Sequence, residues 1–533
     1  MNKRPYIYLP ILFSLVLILG IIIGAKLLPA SSFSGVFKFN YSNNNKINDI
    51  INYIEQEYVD SVSKDKLVED AISGMLQSLD PHSDYIPAAE FAEANAPLVG
   101  NFDGIGVQFK VIKDSIVVIA VIHDGPSEKT GLAPGDRIVK VDSKNVANTK
   151  IKDQEVMKLL KGKKGTEVTV SIYRKGKPNL IDFTITRGEI PTYSVDIAYM
   201  VNKTVGYIKL EKFSGTTIEE FTKALADLKA KGMKKLIFDL RGNGGGYLDA
   251  AIAICDEFLP ANKLILYTEG FHRKKKTYYS SGEGTFENGA LVILIDEMSA
   301  SASEIVSGAM QDNDRATIIG RRSFGKGLVQ EQSKLIDGSA IRLTVARYHT
   351  ATGRCLQKPY NHSISEYYMD FYQRLLDEGV VSDSITEGDT LKFTTPKGKI
   401  VYGGGGIMPD IYVSSKSDEN SVYLKKLNEK NLIYLFAFDY ADKNRKQLNN
   451  YKTAANYIAT FNITTQIFKD FTDYCEKLGV KRSEPDIAKS GELIKVYLKA
   501  FIGRNIFNDE AFYPVLLIKD KVFIKALEVV GKP

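Results

Sequence analysis

An unbroken apolar run followed by small hydroxylated residues constrains this chain more than any other feature. The run Leu291-Val-Ile-Leu-Ile295 has the length and composition of a buried strand. Residues 296–299 interrupt it, and the segment Ala300-Ser-Ala-Ser-Glu-Ile305 then opens a helical pattern that continues to about Gln311. We therefore expect Ser301 where a buried strand leads into a helix N-terminus. Unpaired backbone N–H groups and the helix dipole favour negative charge at such a place.

A serine in this position can act as a nucleophile, because a helix N-terminus stabilises both an alkoxide and an acyl oxyanion. A nucleophile needs a base, and Lys326 follows 25 positions later in Ser323-Phe-Gly-Lys-Gly327, with Gln330 four residues further on. The same residues have a structural interpretation, since a serine at a helix start is commonly an N-cap and a lysine between glycines is commonly a solvated turn residue. Taken alone, they leave both interpretations open.

Composition places the chain among ordinary globular proteins and excludes several classes of function. Of its 533 residues, 44% are hydrophobic and 25% are charged, and a net charge of +6 is too small to indicate nucleic acid as a partner. We interpret the one basic cluster, His272-Arg-Lys-Lys-Lys276, as a solvated loop. The three cysteines are odd in number and far apart, so neither a disulfide framework nor a metal site is predicted, and nothing indicates an organic cofactor.

The N-terminus carries a membrane-targeting pattern. Lys3 and Arg4 precede an uncharged, mostly aliphatic stretch over residues 5–25, which is long enough to span a bilayer as a helix. A cleaved signal has a shorter apolar core and an A-x-A-like site, and the following Lys26-Leu-Leu-Pro-Ala30 contains no good site. We therefore expect an uncleaved anchor in the inner membrane of the cell envelope, with the body of the chain in the periplasm. A cleaved signal is the alternative, and it gives the same compartment.

Changes of pattern predict five parts: an anchor or signal over 1–30, a linker and N-terminal helices over 31–97, a mostly β module over 98–190, an α/β domain over 191–415 and a helical part over 416–533. Apolar spacing places the first helices over about 47–58 and 64–79. The second ends at Asp80-Pro-His-Ser-Asp84, which we interpret as a helix-terminating turn rather than a catalytic group around His82. For the C-terminal helices, scaffolding and substrate gating both stay open.

The β module contains two loop motifs, Gly104-Ile-Gly-Val107 and Gly125-Pro-Ser…Gly131-Leu-Ala-Pro-Gly-Asp136, with a helix predicted over about 152–160. This pattern resembles a PDZ domain. The resemblance implies that the module captures peptides by strand addition in the loop that starts at Gly104. Backbone N–H groups of Ile105, Gly106 and Val107 would hold a terminal carboxylate, while a groove lined by the helix takes the last side chain. A structural β module without a ligand is the alternative.

Strand-like and helical runs alternate from residue 192 to about residue 414, which predicts a layered α/β domain. The strand predicted over Leu236–Leu240 ends in Asp239-Leu-Arg-Gly-Asn-Gly-Gly-Gly246, where glycine lets backbone amides approach a ligand closely. The glycine spacing fits neither G-x-G-x-x-G nor G-x-x-x-x-G-K-[ST], so we interpret it as an oxyanion loop rather than a phosphate loop. A further glycine loop, Gly403-Gly-Gly-Gly-Ile-Met-Pro-Asp410, is expected to close the domain.

In this order, the motifs resemble those of the carboxy-terminal processing peptidases, or tail-specific proteases, over roughly residues 47–414. The motifs are S-L-D-P-H-S-D-Y, the PDZ pattern, D-L-R-G-N-G-G-G, S-A-S-A-S-E-I, F-G-K-G-L-V-Q and G-G-G-G-I-M-P-D. The fold implied is an α/β peptidase core with an inserted, mostly β PDZ domain and helical N- and C-terminal parts. The activity implied is that of a serine endopeptidase with a Ser/Lys dyad.

The resemblance assigns roles to single residues. Ser301 would be the nucleophile, Lys326 the general base, and Gln330 the residue that orients the lysine. The oxyanion donors would be the backbone N–H of Ala302 and that of a glycine in the 244–246 loop, with Gly245 or Gly246 favoured. Partners would be protein substrates of the cell envelope, bound by their C-terminal tails and admitted through a movable PDZ domain, and an adaptor or activator protein is possible.

Two further sites bear on this resemblance, the segment before Ser301 and an aspartate after it. The family commonly has Asn and Gly where this chain has Asp296-Glu-Met298, a departure that does not involve the dyad. Asp312 matches an acidic family position, and we expect it to form a structural salt bridge or cap.

A lysine base requires desolvation, because at neutral pH only about one free lysine in a thousand is deprotonated. We therefore expect Lys326 to be buried beside Ser301. No histidine stands in a recognisable triad motif, among His82, His123, His272, His349 and His362. Two rivals remain: a membrane-anchored PDZ scaffold with an inactive peptidase fold, and a small-molecule serine esterase, which would need the absent G-x-S-x-G motif.

Overall fold

The computed structural model describes residues 14, 16–20, 46–112, 114–122, 125–360, 364–376, 391–416 and 419–531. The membrane-spanning stretch predicted over 5–25 and the linker predicted over 31–45 lie outside this part of the chain, except for residues 14 and 16–20. None of the helices described is long and apolar enough to cross a membrane. The chain divides into two compact units, Met1–Ile72 and Ser73–Pro533.

The first unit contains α1 (Lys46–Glu57) and most of α2 (Lys64–Gln77), which agree with the predicted helices to within two residues. Lys64 Nζ donates a hydrogen bond of 2.6 Å to Asn52 Oδ1 and so ties the start of α2 to α1. The second unit begins within α2 and continues through β1 (Asp84–Ile86), α3 (Phe91–Val99) and β2 (Asn101–Gly104).

The β module forms a sheet in the order β3-β4-β5-β7-β8, with β6 paired to β5, and β2 pairs separately with β9. Its core is made by alternation, since Val168, Val170 and Ile172 of β7 are buried and their neighbours are less so. The elements are β3 (Val107–Ile112), β4 (Ser115–Val121), α4 (Pro126–Thr130), β5 (Arg137–Val141), β6 (Lys144–Asn145), α5 (Asp153–Leu160), β7 (Glu167–Tyr173), β8 (Ile181–Thr186) and β9 (Gly188–Pro191).

The α/β domain is built on a six-stranded sheet in the order β10-β11-β12-β15-β16-β21, in which only the β10–β11 pair is antiparallel. Parallel strands covered on both faces read as continuous apolar runs. The strands predicted over Leu236–Leu240 and Leu291–Ile295 are accordingly confirmed to within one residue. The elements are β10 (Val195–Met200), β11 (Val205–Leu210), α6 (Thr217–Ala230), β12 (Lys235–Asp239), α7 (Leu248–Phe258), β15 (Ala290–Ile295), α8 (Ala302–Asp312), β16 (Thr317–Gly320) and β21 (Ile411–Tyr412).

A second sheet in the same domain has the order β1-β18-β13-β14, with β17 also paired to β18. It consists of β13 (Leu264–Gly270), β14 (Arg273–Tyr279), β17 (Leu328–Lys334) and β18 (Ala340–Thr350) in addition to β1. The prediction of a solvated loop for the basic cluster at residues 272–276 is wrong, because most of that cluster lies in β14. Antiparallel pairing with β13 outweighs the local polarity, and Lys275 Nζ lies 3.7 Å from the Tyr267 ring centre.

Between β18 and β21 the chain forms α9 (Ile364–Leu376) and a hairpin of β19 (Lys392–Thr394) and β20 (Ile400–Tyr402). The Gly403–Asp410 loop follows this hairpin, and it does more than close the domain. An ideal Cβ on Gly325 would lie 3.1 Å from Gly405 C and 3.2 Å from Gly406 N, so this loop packs directly against the segment that carries Lys326.

The C-terminal part is helical, as predicted, and its elements are α10 (Val422–Glu429), α11 (Leu432–Lys443), α12 (Arg445–Asn449), α13 (Ala454–Thr460), α14 (Thr465–Lys477), α15 (Glu484–Phe507), α16 (Asp509–Leu516) and α17 (Lys521–Gly531). Helix α17 covers one face of the six-stranded sheet. Phe438 of α11 is buried against Ile112 and Val117 of the β module. This part therefore joins the β module to the α/β domain.

The fold is thus an α/β core with an inserted, mostly β module and helical terminal parts, as the sequence predicts.

Candidate active site

Ser301 lies where the turn after β15 enters α8, and its backbone has φ 54° and ψ −111°. A non-glycine residue rarely adopts positive φ, and such strain is found mostly at functional sites, where the surroundings hold it in place. Here the Asp239–Gly246 loop, named the glycine loop below, holds the turn. Asn243 O accepts hydrogen bonds from Ala300 N at 3.1 Å and Ser303 Oγ at 2.8 Å.

Gly245 is the point of closest approach between the glycine loop and Ser301. Its φ is 101°, and an ideal Cβ there would lie 2.7 Å from Ala300 O, 2.9 Å from Ser301 Cβ and 3.0 Å from Ala302 N. Only glycine fits such a site without displacing backbone. The Gly245 amide donates to Asn243 Oδ1 at 2.9 Å, so it already has an acceptor.

Within the described residues, the amides of Ala302, Gly244 and Gly246 beside this contact have no acceptor. Ala302 N–H is the first amide of α8, where a helix leaves its donors unpaired. The backbone of Gly246 is fixed by a parallel bridge to Phe213, whose carbonyl oxygen would lie 1.9 Å from an added Cβ. The neighbourhood of Ser301 thus contains fixed, unpaired N–H donors, which is the requirement for binding an oxyanion.

The Glu304 carboxylate joins the Ser301 segment to the Lys326 segment. Its Oε2 accepts from Ser301 N at 2.9 Å and Lys326 N at 2.8 Å, and its Oε1 accepts from Gly325 N at 2.7 Å and Ser323 Oγ at 2.5 Å. Burial raises the pKa of the Glu304 carboxyl, even though all four hydrogen bonds favour the charged form. Sequence reasoning missed this role; the only signal was the S-x-x-E spacing of a capping box.

Lys326 is partly buried, and its ammonium nitrogen donates a hydrogen bond of 2.8 Å to Gln330 Oε1. Burial lowers the pKa of Lys326, and the charge of Arg342 adds to that effect. The Tyr348 hydroxyl lies 2.6 Å from Lys326 O and 3.3 Å from Ser301 O, so one phenol bridges the two segments. Among the described residues no hydrogen bond joins Lys326 Nζ to Ser301 Oγ, and such catalytic contacts are often long without substrate.

Gln330 contacts a part of the chain that the sequence did not connect with the site. Its Nε2 donates to the carbonyl oxygen of His82. The cluster around His82 is a turn, as predicted, because Asp80 Oδ1 accepts from His82 N at 2.8 Å and Ser83 N at 2.9 Å. Burial, followed by the charge of Lys326, lowers the pKa of the His82 imidazole to about 4.

Neither of the other two described histidines, His272 and His349, forms a hydrogen bond or a ring contact with the Ser301 segment. His349 stacks on Tyr267, and His272 contacts Phe271, while His123 and His362 lie outside the described residues.

Asp312 has the structural role expected of it. It forms an ion pair of 2.6 Å with Arg354, and both side chains are fully buried. The departure at Asp296-Glu-Met298 is also structural. Asp296 Oδ1 accepts from Gly242 N at 3.0 Å and so fastens the turn before Ser301 to the glycine loop, while Glu297 pairs with Arg321 at 2.6 Å.

The loop Gly104–Val107 lies at the open edge of the β module. Ile105 is buried, and its carbonyl accepts from Ser127 N and Ser127 Oγ, while Gly106 has a φ of 76°. In the described chain the amides of Ile105 and Gly106 have no acceptor. Val107 begins β3, which is an edge strand of its sheet and packs in one core with Val156 of α5.

Four family models match the chain. Peptidase family S41 matches residues 204–362, a PDZ domain 104–185, the N-terminal domain of the activating protease CtpB 31–89, and a family of unknown function 423–508.

Curated relatives match a longer stretch. The chain is 36% identical to the carboxy-terminal processing protease CtpA of Bacillus subtilis over 59% of its own length and 66% of that protein. It is 36% identical to a carboxy-terminal-processing protease of Bartonella bacilliformis, over 58% of its length and 72% of the relative. A solved structure, the photosystem II D1 C-terminal processing protease, is 26% identical over 58% of this chain and 89% of its own, with a TM-score of 0.34. The chain therefore belongs to peptidase family S41 and is a serine-type peptidase of the carboxy-terminal processing kind that carries a PDZ domain.

Proposed function

We propose that this chain is an endopeptidase in which Ser301 is the nucleophile and Lys326 the general base. One observation carries the proposal: the buried Glu304 carboxylate binds the main-chain amides of both residues, at 2.9 and 2.8 Å. This contact holds the loop that carries Lys326, 25 positions later in sequence, beside Ser301 at the start of α8, where unpaired N–H groups lie. Family membership supports the activity, and the geometry supports these two residues as the ones that perform it.

The state of the lysine follows from its surroundings. A free lysine has a pKa near 10.4 and is almost fully charged at neutral pH. The lowered pKa of Lys326 increases the neutral fraction, which alone can accept a proton. Gln330 Oε1 accepts one N–H of the amine and so fixes the direction of the remaining lone pair.

In the reaction, Lys326 Nζ takes the proton of Ser301 Oγ as the oxygen attacks the substrate carbonyl carbon. The carbonyl π electrons move to oxygen, and the resulting oxyanion is bound by the Ala302 amide and a glycine-loop amide. Of the two favoured glycines, Gly246 is the better second donor, because its amide is free whereas that of Gly245 donates to Asn243 Oδ1. Lys326 then gives its proton to the leaving amine, the C–N bond breaks and an acyl-enzyme forms. Lys326 then deprotonates a water molecule, which attacks the acyl carbon. The ester bond to Ser301 Oγ breaks, and Lys326 returns the proton to that oxygen.

The substrates are proposed to be proteins bound by their C-terminal tails at the Gly104–Val107 loop. The free amides of Ile105 and Gly106 support carboxylate binding, and the edge strand β3 supports strand addition. A labelled peptide with an apolar C-terminus should bind the chain, and the same peptide with an amidated C-terminus should bind at least tenfold more weakly. Equal binding of both would contradict the carboxylate role.

The compartment remains a proposal from the sequence of residues 5–25: anchoring in the inner membrane, with substrates in the cell envelope and an adaptor protein as a further possible partner. Alkaline extraction of membranes tests the anchor. Release of the full-length chain into the soluble fraction would contradict it.

The dyad is tested by comparing the purified chain with its Ser301→Ala and Lys326→Ala variants in cleavage of an unstructured protein with an apolar C-terminus. Both variants should lose at least a thousandfold in kcat. Lys499→Ala is a matched control in the helical part, because Lys499 Nζ also donates to a carbonyl oxygen, the main-chain one of Ile458, and burial also lowers the pKa of Lys499. A Lys326→Ala variant with unchanged activity would show that another group is the base. Absence of fluorophosphonate labelling at Ser301 would favour the inactive PDZ scaffold instead.

A further inference from the structure

The side-chain amide of Gln330 lies between a hydrogen-bond donor, which binds its oxygen, and a hydrogen-bond acceptor, which binds its nitrogen. Its Oε1 accepts from Lys326 Nζ at 2.8 Å, and its Nε2 donates to the main-chain carbonyl of His82. A carbonyl oxygen can only accept hydrogen bonds, so the amide nitrogen must face His82 and the amide oxygen must face the lysine. The orientation of this side chain is therefore decided by the turn that contains His82.

We propose that the main-chain carbonyl of His82 is a positioning group for the base, because it fixes the orientation of the Gln330 amide and so keeps the lone pair of Lys326 free for the proton of Ser301. This inference rests on the proposed Ser301/Lys326 mechanism and deepens it. It assigns a function to a turn that lies more than 200 residues away in sequence and outside the peptidase family match.

The orientation matters because a neutral amine has two N–H donors and one lone pair. When Lys326 donates to Gln330 Oε1, the lone pair stays available. If the amide were reversed, its NH₂ would donate into that lone pair and compete with the Ser301 hydroxyl. A reversed amide would also place Oε1 against the His82 carbonyl oxygen, and two acceptors repel each other. The carbonyl of His82 thus excludes the unproductive orientation.

The turn is rigid on the side of the strand that carries Gln330. Asp80 Oδ2 accepts from Ser83 Oγ at 2.6 Å, in addition to its two contacts with main-chain amides. Ser83 Oγ in turn accepts from Thr344 N at 3.1 Å, and Thr344 lies opposite Gln330 in the β17–β18 ladder. Both Asp80 and Ser83 are buried. The carbonyl of His82 is therefore held in register with the side chain that it orients.

The turn is also held from the other side. The Tyr367 hydroxyl lies 2.9 Å from His82 Nε2 and accepts from Gln357 Nε2 at 3.3 Å. Gln357 Oε1 accepts from Gly327 N, the residue after Lys326, at 2.9 Å. The hydrogen bonds thus form a closed ring that starts and ends at the base segment.

The test is the pH dependence of kcat/KM for the full-length chain and Ser83→Ala. This change removes two hydrogen bonds from the turn but none of the groups whose charge acts on Lys326, namely Arg342, Asp80 and Glu304, and it keeps the neighbouring His82 imidazole. We expect a roughly tenfold lower plateau, mainly in kcat. We also expect the acid limb to move to lower pH, because the lost Oε1 acceptor had favoured the ammonium form.

Ser280→Ala is the matched control. Ser280 is as buried as Ser83. Its hydroxyl likewise donates, to Pro260 O at 2.5 Å and Lys263 O at 3.3 Å, and accepts from a main-chain amide, Lys263 N at 3.0 Å. It should cost similar stability and leave the acid limb in place.

A double-mutant comparison separates positioning through Gln330 from any other effect of the turn. In a Gln330→Leu background, Ser83→Ala should cause no further loss, because the group through which the turn acts is absent. The same tenfold loss in both backgrounds, or an unmoved acid limb, would overturn the proposal. If Ser83→Ala does not fold, Tyr367→Phe tests the same point by freeing the turn from the opposite side.

Two further variants distinguish this inference from the dyad itself. His82→Ala keeps the main-chain carbonyl but removes the contact with Tyr367, so kcat/KM should fall about tenfold, as for Ser83→Ala, and not by the thousandfold expected for Lys326→Ala. A loss as large as that of Lys326→Ala would assign the function to the imidazole and overturn the proposal while leaving the dyad intact. Full activity of Lys326→Ala would instead refute the proposed mechanism on which the inference rests.

Discussion

Replacing Glu304 by glutamine tests whether one carboxylate holds the two halves of the site together. Glutamine has the same shape, so the change creates no cavity. It has only one carbonyl oxygen, whereas Glu304 accepts four hydrogen bonds through two oxygens. Whichever way the amide turns, its NH₂ faces two donors. Either the Ser301 and Lys326 amides or the Gly325 amide and Ser323 hydroxyl lose their acceptor.

The expected loss of stability follows from the number of buried hydrogen-bond donors that are left without an acceptor. An unsatisfied buried donor costs about 1–3 kcal/mol, so two would cost about 2–6 kcal/mol. Burial of the carboxyl opposes its charged form, as its raised pKa indicates, and the neutral amide avoids that cost. We therefore expect the lower part of the range, about 2–4 kcal/mol of unfolding free energy. Because a displacement of about 1 Å at a reacting group can cost about 100-fold, we expect kcat to fall by at least that factor.

Urea unfolding measures the first quantity and steady-state cleavage of a fluorescent peptide the second, on the same preparations. Glu297→Gln is the matched control, since Glu297 is also buried, lies seven residues earlier and pairs with Arg321. It should lower stability without a comparable loss of kcat in the folded fraction. A Glu304→Gln variant with unchanged kcat would refute the view that this carboxylate aligns the two segments.

Three further outcomes follow from single contacts. Gly245→Ala should lower kcat by at least tenfold and stability by about 1–3 kcal/mol, since the new methyl would meet Ser301 Cβ at 2.9 Å and φ is positive; kinetics and melting would check both. The native chain should lose about 1.4 kcal/mol of unfolding free energy per pH unit as pH falls from about 10.5 to the lowered pKa of Lys326, because only the unfolded lysine binds a proton there. Lys326→Met lacks this loss, so in urea titrations it should be more stable than the native chain within and below that window and show no such gain above it. Asp312→Asn should lose about 3–5 kcal/mol of stability, because Arg354 would be left buried and unpaired, with little change in kcat of the folded fraction.

The elements that the sequence predicted best are those whose signal is local. Strand β15 is apolar on both faces because it lies inside a parallel sheet, and a run of that kind is visible without knowledge of the fold. Strand β17 was not predicted, because most of its residues are exposed and polar and only the first is fully buried. Its pairing with β18 is a tertiary contact, and tertiary context outweighs weak strand propensity.

Some residues of the candidate site could likewise be predicted from local sequence, whereas others depend on tertiary contacts. Ser301, Lys326 and Gln330 could be found because they stand in short motifs with fixed spacing. The role of Glu304 could not, because S-x-x-E predicts only a helix cap, and the bonds to Gly325 and Ser323 exist only after the loops have met. The contact from Gln330 to His82 spans 248 positions, and no local pattern encodes which carbonyl a glutamine will meet.

These contacts bear on what constitutes the catalytic unit. The S41 match begins at residue 204 and contains both members of the proposed dyad, yet the carbonyl that orients Gln330 comes from residue 82, before the PDZ domain. Strand β1, which follows that turn, pairs with β18 in the sheet that also holds β17. The turn that contains His82 and strand β1 are therefore part of the peptidase fold, and the PDZ domain is inserted between two pieces of it. Because the chain enters and leaves the PDZ domain through the paired strands β2 and β9, a displacement of that domain would act on both pieces at once.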